Sequence, residues 1–254
     1  MVLNQNIKYR SKWLLANFSK KRRSWQHLYP SEKMIFKELA GKSGWLGDVL
    51  DAGCACGGLS LALKDRFHID SYTGVDIHAD LINFAGENIN SGINSDFICA
   101  DILELELTKE FDTVISLSCA DWNIETEKMV CALWRRVKHG GNLVISLRLT
   151  DKSGINDIRK SFQYIEPEGR TAGGEVANYV VFNINDALKM MKSLSPKPSL
   201  IGAYGYWGRP SQTAVTCFKK LVFAVFYLKK GSDGECRLKL KLPKDLYDDG
   251  QKIS

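Results

Sequence analysis

Asp51, Asp76 and Asp101 each close an apolar run: Val49-Leu50-Asp51, Tyr72-Thr73-Gly74-Val75-Asp76 and Asp96-Phe97-Ile98-Cys99-Ala100-Asp101. Acids seldom end buried strands without a partner, so three in succession point to an edge that faces a ligand. Between the first acid and the amphipathic run Leu59–Phe67 lies Gly53-Cys54-Ala55-Cys56-Gly57-Gly58. Glycine serves where backbone turns tightly or a ligand comes close, and a helix start presents free N–H groups. The combination predicts a cradle for a small polar cofactor at the carboxyl end of a strand, where open α/β sheets bind ligands.

The identity of that cofactor follows from charge and spacing. A dinucleotide fingerprint G-x-G-x-x-G would align as Gly53, Ala55 and Gly58, with alanine where backbone must approach the pyrophosphate. Asp51 would repel a pyrophosphate, yet it attracts the ammonium or sulfonium of S-adenosylmethionine (SAM). The sign argument favours SAM. Asp76 stands nineteen residues after Gly57, a spacing suited to ribose hydroxyls of either cofactor. Asp101 could accept from an adenine amino group while Ile77 or Ile102 packs against the ring.

A second cluster, Ser118-Cys119-Ala120-Asp121-Trp122-Asn123, follows the apolar run Phe111–Leu117. Methylation of a hydroxyl needs a base to take its proton. Asp121 is the first candidate, with Trp122 as a wall for the acceptor; the competing reading makes Asp121 a cap for the next helix. Glu166 and Glu168 are weaker candidates. His139 lies in a turn at the far end of its strand, and His78 is expected beside the cofactor or exposed.

These residues together resemble a class I SAM-dependent methyltransferase, over about Val49 to Leu228. The first family motif stands as Val49–Gly57, the ribose acid as Asp76 and the adenine-side acid as Asp101; Ala55 departs from the usual middle glycine. The resemblance implies a Rossmann-like α/β fold: a seven-stranded mixed sheet, an antiparallel last strand inserted between the fifth and sixth, and helices on both faces. It implies SAM held by Asp51, Gly53, Cys54, Gly57, Asp76, Ile77, Asp101, Ile102 and Ser118. An N-terminal helical extension would roof the site. No Asn/Asp-Pro-Pro-Tyr motif follows the fourth strand, which disfavours exocyclic amine acceptors. Arg148-Leu149-Thr150 replaces the Asp-Asn pair of metal-dependent relatives, so no metal is expected. A looser similarity to methyltransferases of bacterial surface-glycan biosynthesis suggests a sugar or sugar-acid hydroxyl as acceptor, with an amino-sugar nitrogen as alternative. Trp122, Arg148, Tyr164, Tyr206 and Trp207 are the candidate acceptor contacts; aromatic rings suit sugar faces, and Arg148, Arg170 and Arg209 could clamp an anion. The Tyr-Trp run also reads as ordinary strand packing.

The elements that must position these groups read clearly. Residues 1–46 form the N-terminal extension, with helices expected at Lys8–Asn17 and Ser31–Ala40, the second capped by Ser31. Residues 47–230 form the catalytic domain, helices being expected at Asp80–Asn88, Glu125–Val137 and Asn185–Leu194. A Lys138–Gly141 turn precedes the fifth strand, Asn142–Arg148. An insertion at 149–183 belongs to the acceptor pocket, strands Leu200–Tyr206 and Lys220–Leu228 end the domain, and 231–254 is a tail. At 254 residues, 44% apolar and 25% charged, the composition is that of a globular domain. No apolar run reaches membrane-span length, and no signal peptide is evident, so cytoplasmic residence is expected. The seven cysteines lack disulfide or zinc spacing and read as small apolar residues. The charge of +6 gathers partly at Lys20-Lys21-Arg22-Arg23, either a phosphate site or a solvated face; no nucleic-acid module is discernible. An NAD-linked oxidoreductase and a non-catalytic SAM-binding protein are the readings of other classes.

Overall fold

A computed structural model describes residues 9–168, 174–231 and 235–247; Arg170 lies outside them. Two helices, α1 (Trp13–Phe18) and α2 (Pro30–Ala40), precede the sheet. Five strands then run parallel: β1 (Trp45–Ala52), β2 (His68–Asp76), β3 (Asn94–Cys99), β4 (Phe111–Ser116) and β5 (Val137–Thr150), in spatial order β3-β2-β1-β4-β5. In β1, Val49, Leu50 and Ala52 are wholly buried, as a parallel strand covered on both faces requires.

The crossover helices are α3 (Gly58–Lys64), α4 (Ala79–Asn88) and α5 (Thr126–Arg135); α6 (Ile184–Lys192) follows the insertion. Ile35 and Phe36 of α2 join Leu59, Ala62 and Leu63 of α3 on one face of the sheet. Met129, Val130 and Leu133 of α5 join Ile184, Leu188 and Met191 of α6 on the other. The insertion contributes β6 (Phe162–Tyr164), β7 (Val176–Asn178) and β8 (Phe182–Asn183). With β10 (Ala214–Val215), β6 and β7 make a small antiparallel sheet, while β8 pairs parallel with the end of β5.

The sheet ends as the resemblance implied. β11 (Leu221–Lys230) lies antiparallel between β5 and β9 (Pro198–Gly208). Its side chains alternate between the two cores, Val222, Ala224 and Phe226 on one and Val225 and Tyr227 on the other. The sheet has nine strands where seven were expected: besides β8, β12 (Arg237–Lys241) is added, pairing parallel with β9 at the edge. The expected tail therefore carries an edge strand. Leu238 and Leu240 pack against the core, and Lys239 and Lys241 reach Glu38 of α2.

Several boundaries differ for identifiable reasons. The first helix begins at Trp13, whose amide donates to the Ser11 hydroxyl, while the Arg10 and Ser11 amides ahead of it donate to Glu175. Ser31 is buried inside α2; Tyr29 occupies the cap position, and its amide donates to Glu32. Val137 opens β5, so the Lys138–Gly141 turn is a kink within that strand, with Gly140 at φ 79°. Asp101 stands two residues beyond the end of β3. Among the described residues no helix is long and apolar enough to cross a membrane, and the seven cysteines are free thiols.

Candidate functional site

The carboxyl ends of β1, β2, β3 and β4 converge on one cavity. Asp51, Gly53, Cys54, Asp76, Ile77, Asp101, Ile102, Ser118 and Trp122 all line it. Gly57 does not, although Cys56 and Gly58 on either side of it do. Its φ of 71° at the cap of α3 and the Phe97 ring, 2.6 Å from where a Cβ would sit, give it a turn-making role. Gly53, at φ 80°, admits no side chain either, since Cys119 fills that space.

Each acid is held differently. Asp51 is 3% exposed and accepts from the Tyr72 hydroxyl. Burial pushes its carboxyl up to about 6, with Asp76 adding repulsion and Tyr72 and Arg22 opposing the rise. Asp76 accepts from the Ala55 amide at 2.9 Å through one oxygen, and through the other from the His78 amide at 3.0 Å, with the imidazole Nδ1 also 2.9 Å away. It thereby sets the glycine loop and the next turn at once. Ala55 is left-handed, at φ 47°; the loop keeps the turn of the usual glycine at the strain cost of an alanine there. Asp101 accepts from the Leu103 amide at 2.9 Å, and Glu104 and Leu105 donate to its carbonyl.

The roof comes from the N-terminal extension. Tyr9, Leu14, Phe18, Lys21 and Arg22 line the cavity. The Tyr9 ring stacks on His78 at 5.6 Å and 13°, and its amide donates to His78 Nε2. Glu175 and Glu166 of the insertion bind the Arg10–Ser11 stretch, so roof and insertion meet. Arg22 donates from Nη2 to Glu32 at 2.6 Å and to the Ser118 hydroxyl at 3.0 Å. Of the basic cluster, Arg22 therefore faces inward, as neither the phosphate site nor the solvated face that its sequence suggests. His78, expected beside the cofactor or exposed, lines the cavity, whereas Tyr9 and Arg22 were not among the expected cofactor residues. The aromatic residues flanking Lys20–Arg23 were the one signal for the last.

The expected acceptor residues divide. Trp122 lines the cavity beside Asn123. Asp121 is 4% exposed and turned away, its Oδ2 being 3.1 Å from Arg148 Nε. It neither lines the cavity nor caps α5, which begins at Thr126 after Asn123 accepts from the Glu125 amide. Burial raises its carboxyl and Arg148 opposes the rise. Arg148 is no exposed clamp: it lies over the Tyr179 ring at 3.6 Å and donates to the Asp121 carbonyl. Tyr164 packs edge-on against Phe162 in the small sheet. Tyr206 packs against Phe223, and Trp207 donates to Asp245 at 2.7 Å beneath Lys220. Strand packing, the plainer reading of that run, accounts for both. Glu166 is bonded to Ser11.

The comparisons with known proteins agree with this geometry. Residues 49–141 match the protein-family model described as a methyltransferase domain. The malonyl-[acyl-carrier protein] O-methyltransferase of Acetivibrio thermocellus is 35% identical over 99 residues, which is 39% of this chain and 35% of the relative. The ubiquinone biosynthesis O-methyltransferase of Pseudomonas fluorescens is 33% identical over 111 residues, 42% of this chain and 45% of the relative. The chain thus spans less than half the length of these curated relatives. The solved structure of Haemonchus contortus phosphoethanolamine N-methyltransferase 2, with S-adenosylhomocysteine, superposes with a TM-score of 0.52 at 15% identity, over 78% of this chain and 52% of that one. The chain therefore has the Rossmann-like fold of class I methyltransferases, with the methyltransferase domain match covering its glycine loop and three acids.

Proposed function

We propose that this protein transfers a methyl group from SAM to an oxygen of a small polar acceptor. The carrying observation is the delivery of Asp51, Asp76 and Asp101 to one cavity whose floor is a left-handed glycine loop. The residues fit SAM: a buried carboxylate for its positive end, Asp76 for ribose hydroxyls, and Ile77 and Ile102 as apolar walls for adenine. Bound there, SAM supplies an electrophilic methyl group on sulfur. The chain's part is to align the acceptor with that methyl and exclude water, since positioning supplies much of such a rate. Tyr9, Phe18 and Trp122 add apolar surface to the same cavity.

Both curated relatives carry O-methyltransferase names, which supports an oxygen nucleophile over nitrogen. The finer acceptor, a hydroxyl of a sugar or sugar-derived acid, rests on the similarity to glycan methyltransferases; Arg148, Tyr164, Tyr206 and Trp207 lend it no cavity contact. Asp121 as base would require the Arg148 pair to open first. Malonyl-type carboxylates, already anionic, need no base and belong in the same acceptor screen.

Calorimetric titration with SAM and, separately, with NADH tests the reading. Micromolar binding of SAM alone is expected, followed by methyl transfer in a screen of sugars, sugar acids and carboxylates. Binding of NADH alone would overturn it.

A further inference from the structure

Between Arg10 and Lys37 stand eight lysines and arginines against one acid, Glu32, and Glu32 is taken by Arg22. That stretch alone exceeds the +6 of the whole chain, so the positive charge is concentrated in the N-terminal extension. Two of its lysines and a histidine gather round one open hollow, lined by Trp13, Ala16, Asn17, Lys20, Lys21 and His27. Lys20, Lys21 and His27 enter no ion pair or side-chain hydrogen bond among the described residues. Adjacent like charges repel, and an unpaired set around a concavity focuses its field on whatever enters there.

Lys21 also lines the cofactor cavity, so the two spaces adjoin. Its place is fixed by backbone: the Lys21 carbonyl fills the space where a Cβ on Gly58 would sit, at the start of α3. We propose that the hollow binds the phosphate group of a small phosphorylated acceptor, with Lys20, Lys21 and His27 holding the anion and Trp13 forming the apolar side. This rests on the methyltransferase reading above and names the acceptor class. Lysine binds phosphate as a point charge, and an imidazole N–H adds a donor. The basic groups surround one hollow rather than form a long stripe, which suits a compact anion over a nucleic acid.

Calorimetry with inorganic pyrophosphate at low ionic strength, with and without saturating S-adenosylhomocysteine, tests the site. Pyrophosphate should bind in both conditions. Lys20→Gln should weaken it about 3- to 10-fold, between the worth of an exposed ion pair and that of a charged hydrogen bond, with S-adenosylhomocysteine affinity unchanged. Lys37→Gln removes the same charge from α2, away from the hollow, and should leave pyrophosphate binding as it was. Equal weakening by the two variants would reduce the hollow to a diffuse field and overturn the proposal. So would displacement of pyrophosphate by S-adenosylhomocysteine, which would put the anion in the cofactor cavity. Absence of pyrophosphate binding overturns it too, and binding of phosphatidylglycerol vesicles in its place would assign the charge to a lipid surface. In the methyl-transfer screen, a phosphorylated sugar should show a lower KM than its unphosphorylated parent, an advantage that Lys20→Gln reduces; equal KM values would leave the hollow outside the acceptor site. Failure of S-adenosylhomocysteine to bind strikes the cofactor reading, whereas failure of pyrophosphate alone strikes only this one.

Discussion

At the scale of single residues, the chemistry rests on which charges are buried and what faces them. Asp51, raised to about 6, is protonated in mildly acidic solution and ionised above it. A ligand ammonium prefers the ionised form, so S-adenosylhomocysteine affinity should rise as pH passes from 5 to 7 and then level off. Calorimetry across that range checks it, and Asp51→Asn should flatten the profile. The ligand-free protein responds with the opposite sign: a raised carboxyl loses stability as pH climbs from its ordinary 3.8 towards about 6. For Asp121 the pair with Arg148 decides the outcome. Removing one partner leaves the other charge buried, so Asp121→Ala should cost about 3–5 kcal/mol in denaturant unfolding, with S-adenosylhomocysteine affinity retained. Asp51, Asp76 and Asp101 were legible in the sequence because each closes an apolar run, Asp51 and Asp76 within the ends of their strands and Asp101 two residues past its own. Arg148 misled because its type suggests a clamp, whereas its partner lies 27 positions away.

At the scale of elements, the roof is a strap from Tyr9 to Arg23 clipped to the insertion. Glu175 accepts the amides of Arg10 and Ser11, which holds the stretch extended. Glu175→Ala should release it. Trypsin cleavage at Arg10 and Lys12 should then quicken by about tenfold, the scale of a charge-assisted hydrogen bond, and S-adenosylhomocysteine should dissociate faster. Unchanged cleavage would mean that stacking on His78 suffices. The extension was expected to roof the site, but its helix was placed too early; no periodicity betrays that Arg10 and Ser11 meet a carboxylate more than 160 positions away. The strands and crossover helices were readable because their apolar spacing is local. The β12 strand was not, since Arg237-Leu238-Lys239-Leu240-Lys241 looks like a basic tail until β9 is there to bury its leucines.

For the whole molecule, the last residues matter more than a tail would. A chain ending at Lys230 loses the packing of Leu238 and Leu240 and the Lys239–Glu38 pair, and it bares the β9 edge. Such edges invite pairing with other chains. The truncated protein should melt about 5–15 °C lower and self-associate in size-exclusion chromatography; an unaltered melt would make β12 ornamental. The order of strands also governs how the protein reaches this state. β11 fills the gap between β5 and β9, so the sheet cannot close across its middle until residue 230 has left the ribosome. Before then the nascent chain carries two raw strand edges and the apolar residues that β11 will cover. Non-local pairing of this kind is slow to form, and such intermediates aggregate. The window of vulnerability during synthesis is therefore set by the delay before a single ten-residue strand arrives.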